Sequence, residues 1–316
     1  MRKNNFTIIL LYNYLLVKIN KFAGWLPYEV YSDKKKQILA IIIAPFMILA
    51  HIGTVFKIIR KKYLSLLYVE IVVTTHCSLK CKFCSNFIQY YKKPYHVDIE
   101  TNLKSIGRLL EAVDNICLVR LLGGETLLYP ELEQLLSSLI GCEKVAHIQV
   151  VTNGTIIPKS NVISKLKHPN VSVSVSNYGK NSYKIRELSE VLKKENIRHY
   201  ISPEDLFWLD YGGPNKIKKN EKQLQQQFGK CVPLNCNSIL NGQLHFCPVS
   251  AHGMDLGYVE RRKNDYIDLL DATCSTTDLR QKLWDFQYGN KPYITACQYC
   301  NKCTDLATKI RPGEQL

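Results

Sequence analysis

Two adjoining stretches of sequence decide the fold: residues 68–74 (YVEIVVT) and residues 75–84 (THCSLKCKFC). The first is rich in β-branched residues, which predicts a strand buried in a sheet. The second spaces Cys77, Cys81 and Cys84 as C-x3-C-x2-C directly after that strand. Three thiolates in one loop can hold three irons of a cubane [4Fe–4S] cluster and leave the fourth iron open to another ligand. Two alternatives stay open, a structural zinc site and unrelated core cysteines.

Strands and helical patterns alternate from this point on. Residues 98–114 carry apolar side chains at helical spacing, and Asp98 is the predicted N-cap. This alternation predicts parallel βα units, either in an open sheet or closed into a barrel. A polar, loop-rich stretch at residues 210–227 then leads into a second group of cysteines. Further helices are predicted at residues 130–140 and 181–195, and further strands at residues 117–122, 147–152, 171–176 and 197–201.

Composition and charge narrow the class of protein. Of the 316 residues, 46% are hydrophobic, which excludes wholesale disorder. The 12 cysteines are too few for a small disulfide scaffold, and their close spacing favours metal ligation over disulfides. No small-residue cleavage site follows the apolar residues 6–17, so we expect a reducing cytosol. The net charge is +15, but no nucleic-acid-binding module accompanies it, and we expect no nucleic-acid partner.

Residues 37–56 (QILAIIIAPFMILAHIGTVF) form a stretch of 20 residues without a formal charge. Lysines and an arginine flank it on both sides, so the charges do not specify an orientation. A stretch of this length can span a bilayer, lie at the inner face of the membrane as an interfacial helix, or pack against the domain behind it. Pro45, His51 and Gly53 interrupt the stretch, and all three interpretations stay open.

The cysteine loop and its position after the first strand resemble those of the radical S-adenosylmethionine (SAM) enzymes, whose signature includes an aromatic residue before the third cysteine, here Phe83. The resemblance covers about residues 67–304. It implies an α/β fold, a partial (β/α)6 TIM-type barrel with its active site at the carboxyl ends of the strands. It also implies that Cys77, Cys81 and Cys84 bind a catalytic [4Fe–4S] cluster, that SAM binds the open iron, and that a donor such as flavodoxin or ferredoxin supplies the electron.

The same resemblance assigns SAM contacts to the ends of later strands. Gly123-Gly124-Glu125 is similar to the GGE motif of the family, although Thr126 stands where the family usually has proline. The glycines allow the backbone to approach the ligand closely, and Glu125 is expected to accept a hydrogen bond from the SAM ammonium group. The other two predicted contacts, at the end of the fourth strand, are Ser176 and Asn177.

Residues 231–248 (CVPLNCNSILNGQLHFCP) and 297–303 (CQYCNKC) form the second cysteine region. Asn241-Gly242 between two apolar runs predicts a β-hairpin from local chemistry alone. The region is similar to the SPASM or shorter twitch extension of the same family, which binds an auxiliary cluster, but it lacks the full seven-cysteine spacing. One cubane needs four thiolates, and a structural zinc stays an alternative. The predicted ligands are Cys231, Cys247, Cys297 and Cys300, with Cys236 and Cys303 as substitutes.

The expected domains are an apolar and basic helical leader at residues 1–66, a radical SAM core at residues 67–230, and a small cysteine-rich SPASM- or twitch-like extension at residues 231–316. Cys117 and Cys142 are expected in the core, and no pattern accounts for Cys274.

The resemblance implies an oxidoreductase that cleaves SAM reductively to a 5′-deoxyadenosyl radical and removes hydrogen from a substrate. Because the leader does not resemble a peptide-recognition domain, we expect a small molecule or a carbohydrate as substrate. A peptide-modifying maturase and a non-catalytic iron–sulfur or zinc protein stay as alternatives.

Overall fold

The computed structural model describes residues 11–12, 14–16, 18–19, 22–23, 34–60, 62–231, 236–289 and 291–316. The strands in chain order are β1 (Ser65–Leu66), β2 (Val69–Thr74), β3 (Asn115–Ile116), β4 (Val119–Gly123), β5 (Ile148–Thr152), β6 (Val171–Val175), β7 (His199–Ile201), β8 (Trp208–Leu209), β9 (Asn237–Leu240), β10 (Gln243–His245), β11 (Tyr266–Asp268) and β12 (Lys309–Ile310). The helices are α1 (Lys34–Ala50), α2 (Ile52–Ile59), α3 (Ile99–Ala112), α4 (Leu132–Ile140), α5 (Ser160–Leu166), α6 (Ile185–Lys194), α7 (Glu221–Cys231), α8 (Pro248–Asp255) and α9 (Thr276–Tyr288).

Eight of these strands form one sheet in the order β11-β10-β9-β2-β4-β5-β6-β7. The six strands from β9 to β7 run parallel, and β10 and β11 continue the sheet antiparallel. All six residues of β2 are buried, as expected for a parallel strand covered on both faces. The predicted α/β fold is therefore confirmed, and the sheet is open, with β7 and β11 at its edges.

Local chemistry explains the elements that the sequence predicts well. The Asp98 carboxylate accepts from the backbone N–H of Thr101 at 2.9 Å, so α3 begins at its predicted cap. Asn241 and Gly242 have φ angles of 48° and 82°, which a two-residue hairpin turn requires. This turn joins β9 to β10, as predicted.

Two features differ from the sequence analysis. Residues 221–227 belong to α7, although the polar composition of residues 210–227 predicted loop; Leu224 and Phe228 provide the buried face of this helix. The sixth parallel strand, β9, lies beside β2 and comes from the second cysteine region. The cysteine-rich extension therefore shares the central sheet.

The apolar stretch at residues 37–56 forms two helices, α1 and α2, which are bent by 89° relative to each other. Among the described residues, no single helix is long and apolar enough to cross a membrane. By length and composition, only the bent pair α1 and α2 taken together would be. Val55 and Ile58 of α2 pack against Tyr14 and Leu15, and this small core contacts Tyr288 of α9.

Candidate active site

The loop after β2 carries Cys77, Cys81 and Cys84 to the carboxyl edge of the sheet. The backbone N–H of Thr75 donates to the carbonyl oxygen of Tyr95 at 2.8 Å, which fixes the start of the loop. All three cysteines line one cavity of about 330 Å³. The structure thus brings together the three residues that the sequence pattern singled out.

Gly123 and Gly124 bring the end of β4 against this loop. The backbone N–H of Gly124 donates to the carbonyl oxygen of Thr74 at 2.8 Å. A Cβ on Gly123 would lie 2.1 Å from that same oxygen, and a Cβ on Gly124 would lie 2.0 Å from the carbonyl oxygen of His76. These separations are far below van der Waals contact, so only glycine fits at either position. Both glycines line the cavity.

Asn153, at the end of β5, directs its side-chain amide to the cysteine loop. Its Nδ2 lies 3.6 Å from the Cys77 Sγ and donates to the Ser78 Oγ at 3.1 Å. Its Oδ1 accepts from the backbone N–H of Thr155 at 3.1 Å, so the amide orientation is fixed. Sequence reasoning did not identify this contact.

The segment 309–316 pairs with the cysteine loop from the other side. Cys81 and Gln315 form an antiparallel bridge, and the backbone N–H of Lys82 donates to the carbonyl oxygen of Glu314 at 2.7 Å. The Gln315 Nε2 lies 3.3 Å from the Cys81 Sγ. Sequence reasoning missed this segment, because a contact across more than 200 residues leaves no local pattern.

The second cysteine group lines the same cavity. Cys231, Cys236, Cys247 and Cys300 lie in its wall, and they also line an adjoining cavity of about 40 Å³ that adds Cys297. All four predicted auxiliary ligands therefore surround the smaller cavity, together with the substitute Cys236. The other substitute, Cys303, lies outside both linings.

Helix α7 and one half-buried lysine hold this second group in place. The Lys219 Nζ donates to the carbonyl oxygen of Cys297 at 2.9 Å, to that of Cys300, and to the Gln227 Oε1 at 2.8 Å. The Gln227 Nε2 in turn donates to the Cys300 carbonyl oxygen at 2.7 Å. These bonds connect residues 297–300 to the helix that ends at Cys231.

The chemistry of these donors fits iron–sulfur clusters. All 12 cysteines lie in the described part of the chain, and none forms a disulfide. Among the described residues, no three His, Cys, Asp or Glu side chains gather closely enough for a single metal ion. A cubane does not need such a gathering, because each thiolate binds a different iron. The cysteine loop therefore provides three thiolates at the larger cavity, and the second cysteine group provides five around the smaller one.

Burial controls the charge of these thiols when no metal is bound. It raises the pKa of Cys77 and of Cys84 to about 11, and that of Cys231 and of Cys297 to about 12. The thiols are therefore neutral at pH 7 in the metal-free chain. Iron binding must release protons, which couples loading of the site to pH.

A buried polar cluster lies in the wall of the larger cavity. The Glu70 Oε1 accepts from the Tyr68 hydroxyl at 2.6 Å, and its Oε2 accepts from the Ser238 hydroxyl at 2.7 Å. The Arg120 Nη1 donates to the Tyr68 hydroxyl at 2.8 Å. Burial raises the pKa of Glu70 by disfavouring its charged form. Glu70 and Arg120 both line the cavity, and the sequence analysis had assigned neither a role.

The predicted SAM contacts differ in whether they line the larger cavity. Ser176 lines the cavity, as the two glycines do, whereas Glu125 and Asn177 are not among its lining residues. The Glu125 carboxylate is fully buried and accepts from the backbone N–H groups of Leu127 at 3.0 Å and Asn153 at 2.7 Å. Burial raises the pKa of Glu125. The assignment of Glu125 as a SAM contact stays a prediction.

The remaining cysteines lie away from the cavity. Cys117 is buried beside Ser65 and Asn115, and Cys142 packs against the main core, as expected. Cys274, which the sequence left unexplained, is buried before α9, and the Lys282 Nζ donates to its Sγ at 3.2 Å.

The amino-acid sequence is similar to one family model and to two curated relatives. The model of the radical SAM superfamily matches residues 71–200. The GTP 3',8-cyclase of Alkaliphilus metalliredigens (strain QYMF) is 29% identical over 161 residues, which is 48% of this chain and 50% of the relative. The protein of the same name from Alkaliphilus oremlandii (strain OhILAs) is 29% identical over 157 residues, 47% of this chain and 48% of the relative. The chain thus spans about half the length of the curated relatives it matches.

Solved structures of similar fold include BtrN in complex with AdoMet and 2-DOIA, with a TM-score of 0.49, 16% identity, and coverage of 79% of this chain and 97% of that one. A second is anSMEcpe with bound AdoMet, with a TM-score of 0.45, 16% identity, and coverage of 71% and 82%.

Proposed function

The chain contains a radical SAM domain at residues 71–200, and from this premise we propose that it is an oxidoreductase that acts on a small molecule or a carbohydrate. Radical SAM proteins use a [4Fe–4S] cluster and SAM, which when bound supply a 5′-deoxyadenosyl radical that removes hydrogen from the substrate. One observation carries the proposal: a single cavity of about 330 Å³ is lined by both cysteine groups. A substrate in that cavity would contact both.

In this proposal the residues around the cavity have different roles in binding the cluster and SAM. Cys77, Cys81 and Cys84 bind three irons of the catalytic cluster and leave one iron open to SAM. Gly123 and Gly124 allow the end of β4 to approach the cluster loop. Ser176 offers a hydroxyl to SAM from the end of β6. We retain Glu125 and Asn177 as SAM contacts to be tested; the Glu125 carboxylate also accepts from the backbone N–H of Asn153 and fixes its position.

The second cysteine group binds one auxiliary [4Fe–4S] cluster through Cys231, Cys247, Cys297 and Cys300. The support is that all four line one cavity of about 40 Å³. Replacing Cys231 and Cys297 together by alanine should lower the iron content by about four atoms per chain, one cubane. Unchanged iron would defeat this ligand set, and one zinc per chain in place of iron would support the zinc alternative.

The polar wall of the cavity favours a small polar substrate. Glu70, Tyr68 and Arg120 provide a hydrogen-bonded carboxylate, hydroxyl and guanidinium, of which Glu70 and Arg120 line the cavity. A peptide substrate is the alternative within the same chemistry. GTP, which appears in the name of the curated relatives, belongs in the same substrate panel.

Formation of 5′-deoxyadenosine tests the proposed activity. The chain would be reconstituted anaerobically with iron and sulfide, then incubated with dithionite and SAM; flavodoxin or ferredoxin would replace dithionite in a second series. We expect 5′-deoxyadenosine from the wild type and none from Cys81→Ala. The matched control is Cys274→Ala, which removes a buried thiol outside the cavity and should leave the product unchanged. A fully iron-loaded wild type that makes no 5′-deoxyadenosine would support the non-catalytic alternative and refute the enzyme.

We propose further that the protein acts in a reducing cytosol while bound to an anionic membrane surface. Lys34, Lys35 and Lys36 precede the exposed apolar face of α1–α2, and Lys57 and Arg60 lie at its end, so the charges complement anionic headgroups. Ten large apolar side chains of the two helices are exposed: Ile38, Leu39, Ile41, Ile42, Phe46, Ile48, Leu49, Ile52, Phe56 and Ile59.

Sedimentation with vesicles tests this surface. We expect binding to vesicles containing phosphatidylglycerol, weaker binding at high salt, and loss of binding when Ile41, Ile42 and Phe46 are replaced by serine. Equal recovery of the wild type in the supernatant with and without anionic vesicles would contradict the proposal.

A further inference from the structure

The side-chain amide of Gln315 has a fixed orientation toward Cys81. Its Oε1 accepts from the backbone N–H of Lys80 at 2.7 Å, which identifies that atom as the oxygen. The nitrogen therefore faces the Cys81 Sγ, at 3.3 Å, and it also donates to the carbonyl oxygen of Gly313 at 2.6 Å. If the amide oxygen and nitrogen exchanged places, the nitrogen would face the Lys80 N–H, which is also a donor. The oxygen would face the Gly313 carbonyl oxygen, which is also an acceptor.

Backbone pairing holds this amide in place. The N–H of Leu316 donates to the Lys80 carbonyl oxygen at 2.9 Å, and the N–H of Lys82 donates to the Glu314 carbonyl oxygen at 2.7 Å. Gln315 thus lies between two backbone hydrogen bonds to the cysteine loop. The backbone pairing of the two segments therefore positions the Gln315 side chain against the Cys81 sulfur.

We propose that Gln315 raises the reduction potential of the catalytic cluster through this N–H···S contact with Cys81. The inference rests on the proposed function, in which Cys81 binds an iron of that cluster. Reduction adds negative charge that spreads onto the thiolate sulfurs. An N–H dipole aimed at a sulfur stabilises that charge more than it stabilises the oxidised state, so the reduced cluster becomes easier to form.

The size of the effect follows from the strength of one hydrogen bond. Loss of such a bond changes an equilibrium by up to about tenfold. For a one-electron couple, a tenfold change in the ratio of reduced to oxidised cluster corresponds to about 59 mV. The Asn153 Nδ2 makes a longer contact with Cys77, 3.6 Å, and contributes in the same direction with a smaller effect.

An EPR-monitored redox titration of the reconstituted full chain tests the inference, following the reduced-cluster signal that changes when SAM is added. In Gln315→Leu we expect a lower midpoint potential, with the reduced-to-oxidised ratio at fixed potential falling by up to about tenfold. Gln315→Glu keeps an acceptor for the Lys80 N–H and so preserves the pairing, but it turns an oxygen toward the sulfur. Its potential should fall further than that of Gln315→Leu.

Gln89→Leu is the matched control, because the Gln89 Nε2 donates at 3.2 Å to the backbone carbonyl oxygen of Lys82, in the same cysteine loop, and not to a sulfur. We expect its midpoint potential to match the wild type. Unchanged potentials in Gln315→Leu and Gln315→Glu would overturn the inference, as would an equal shift in Gln89→Leu. A wild type without a SAM-sensitive signal would instead refute the proposed function.

Discussion

Replacing Gly124 by alanine places a methyl group where the structure has no room for one. The added Cβ would lie 2.0 Å from the carbonyl oxygen of His76 and 3.0 Å from the Cβ of Cys77. Non-bonded heavy atoms are most stable at about 3.5–4.0 Å. The end of β4 and the cysteine loop must therefore separate by more than about 1 Å. Backbone atoms make the first contact, so no side-chain rotation can relieve it.

The consequence should appear in catalysis more than in folding. A displacement of about 1 Å at a reacting site can lower the rate by about 100-fold, because the reacting groups leave their productive geometry. We therefore expect Gly124→Ala to form 5′-deoxyadenosine at least about 100-fold more slowly than the wild type. Iron content should also fall, since Cys77 directly follows the residue that the methyl group displaces.

The assay compares iron per chain and the initial rate of 5′-deoxyadenosine formation in Gly124→Ala and in a matched control. Gly107→Ala is that control: Gly107 lies within α3, and a Cβ there meets nothing within 4 Å. It should keep full activity and gain about 0.4–1 kcal/mol of stability from reduced freedom in the unfolded chain. If Gly124→Ala loads iron and turns over like Gly107→Ala, the close approach has no role at the site.

Three further predictions concern stability and ligand assignment. Burial lowers the pKa of His147 to about 4, so the stability it contributes is complete above its ordinary value of 6.5 and is lost as the pH falls toward 4. Between pH 7 and pH 5 the wild type should lose about 2 kcal/mol more unfolding free energy than His147→Asn, and equal losses in urea titrations would contradict this. Glu125→Gln should cost about 2 kcal/mol, because one of the two backbone N–H groups that it accepts from loses its acceptor, and an unchanged melting temperature would argue against that network. Cys274→Ala should keep the iron content of the wild type while Cys297→Ala lowers it, and equal iron in both would remove Cys297 from the auxiliary ligand set.

The features that the sequence predicted are those with a strong local signal. The cysteines of the loop lie within eight residues of one another. The Asn-Gly turn encodes its own backbone geometry, and β2 is rich in β-branched residues. The glycines at the end of β4 were predicted to let the backbone approach a ligand, and this stays a prediction. The structure shows instead their close approach to the cysteine loop.

The features that escaped prediction depend on contacts distant in sequence. Helix α7 has a polar composition, and Leu224 and Phe228 form its buried face by packing against residues distant in sequence. Gln315 lies 234 residues from Cys81 in the sequence, so no local pattern connects the two. Glu70 and Arg120 gain their importance from burial beside the cavity, and a charged residue within a strand gives no sign of that from its neighbours.

The cysteine-rich extension was only partly predictable for the same reason. Its six candidate ligand cysteines were identified, but spacing alone could not choose among them. The structure narrows the choice, since five surround the smaller cavity and Cys303 does not.

The most direct test of the account is whether SAM binds the cluster held by Cys77, Cys81 and Cys84. EPR spectra of the reduced, reconstituted chain would be recorded with and without SAM, for the wild type and for the variant with all three cysteines replaced by alanine. We predict a SAM-dependent change in the wild type. We predict about four fewer irons per chain in the triple variant, whose remaining signal does not respond to SAM. A SAM-responsive signal that survives in the triple variant would contradict the central claim.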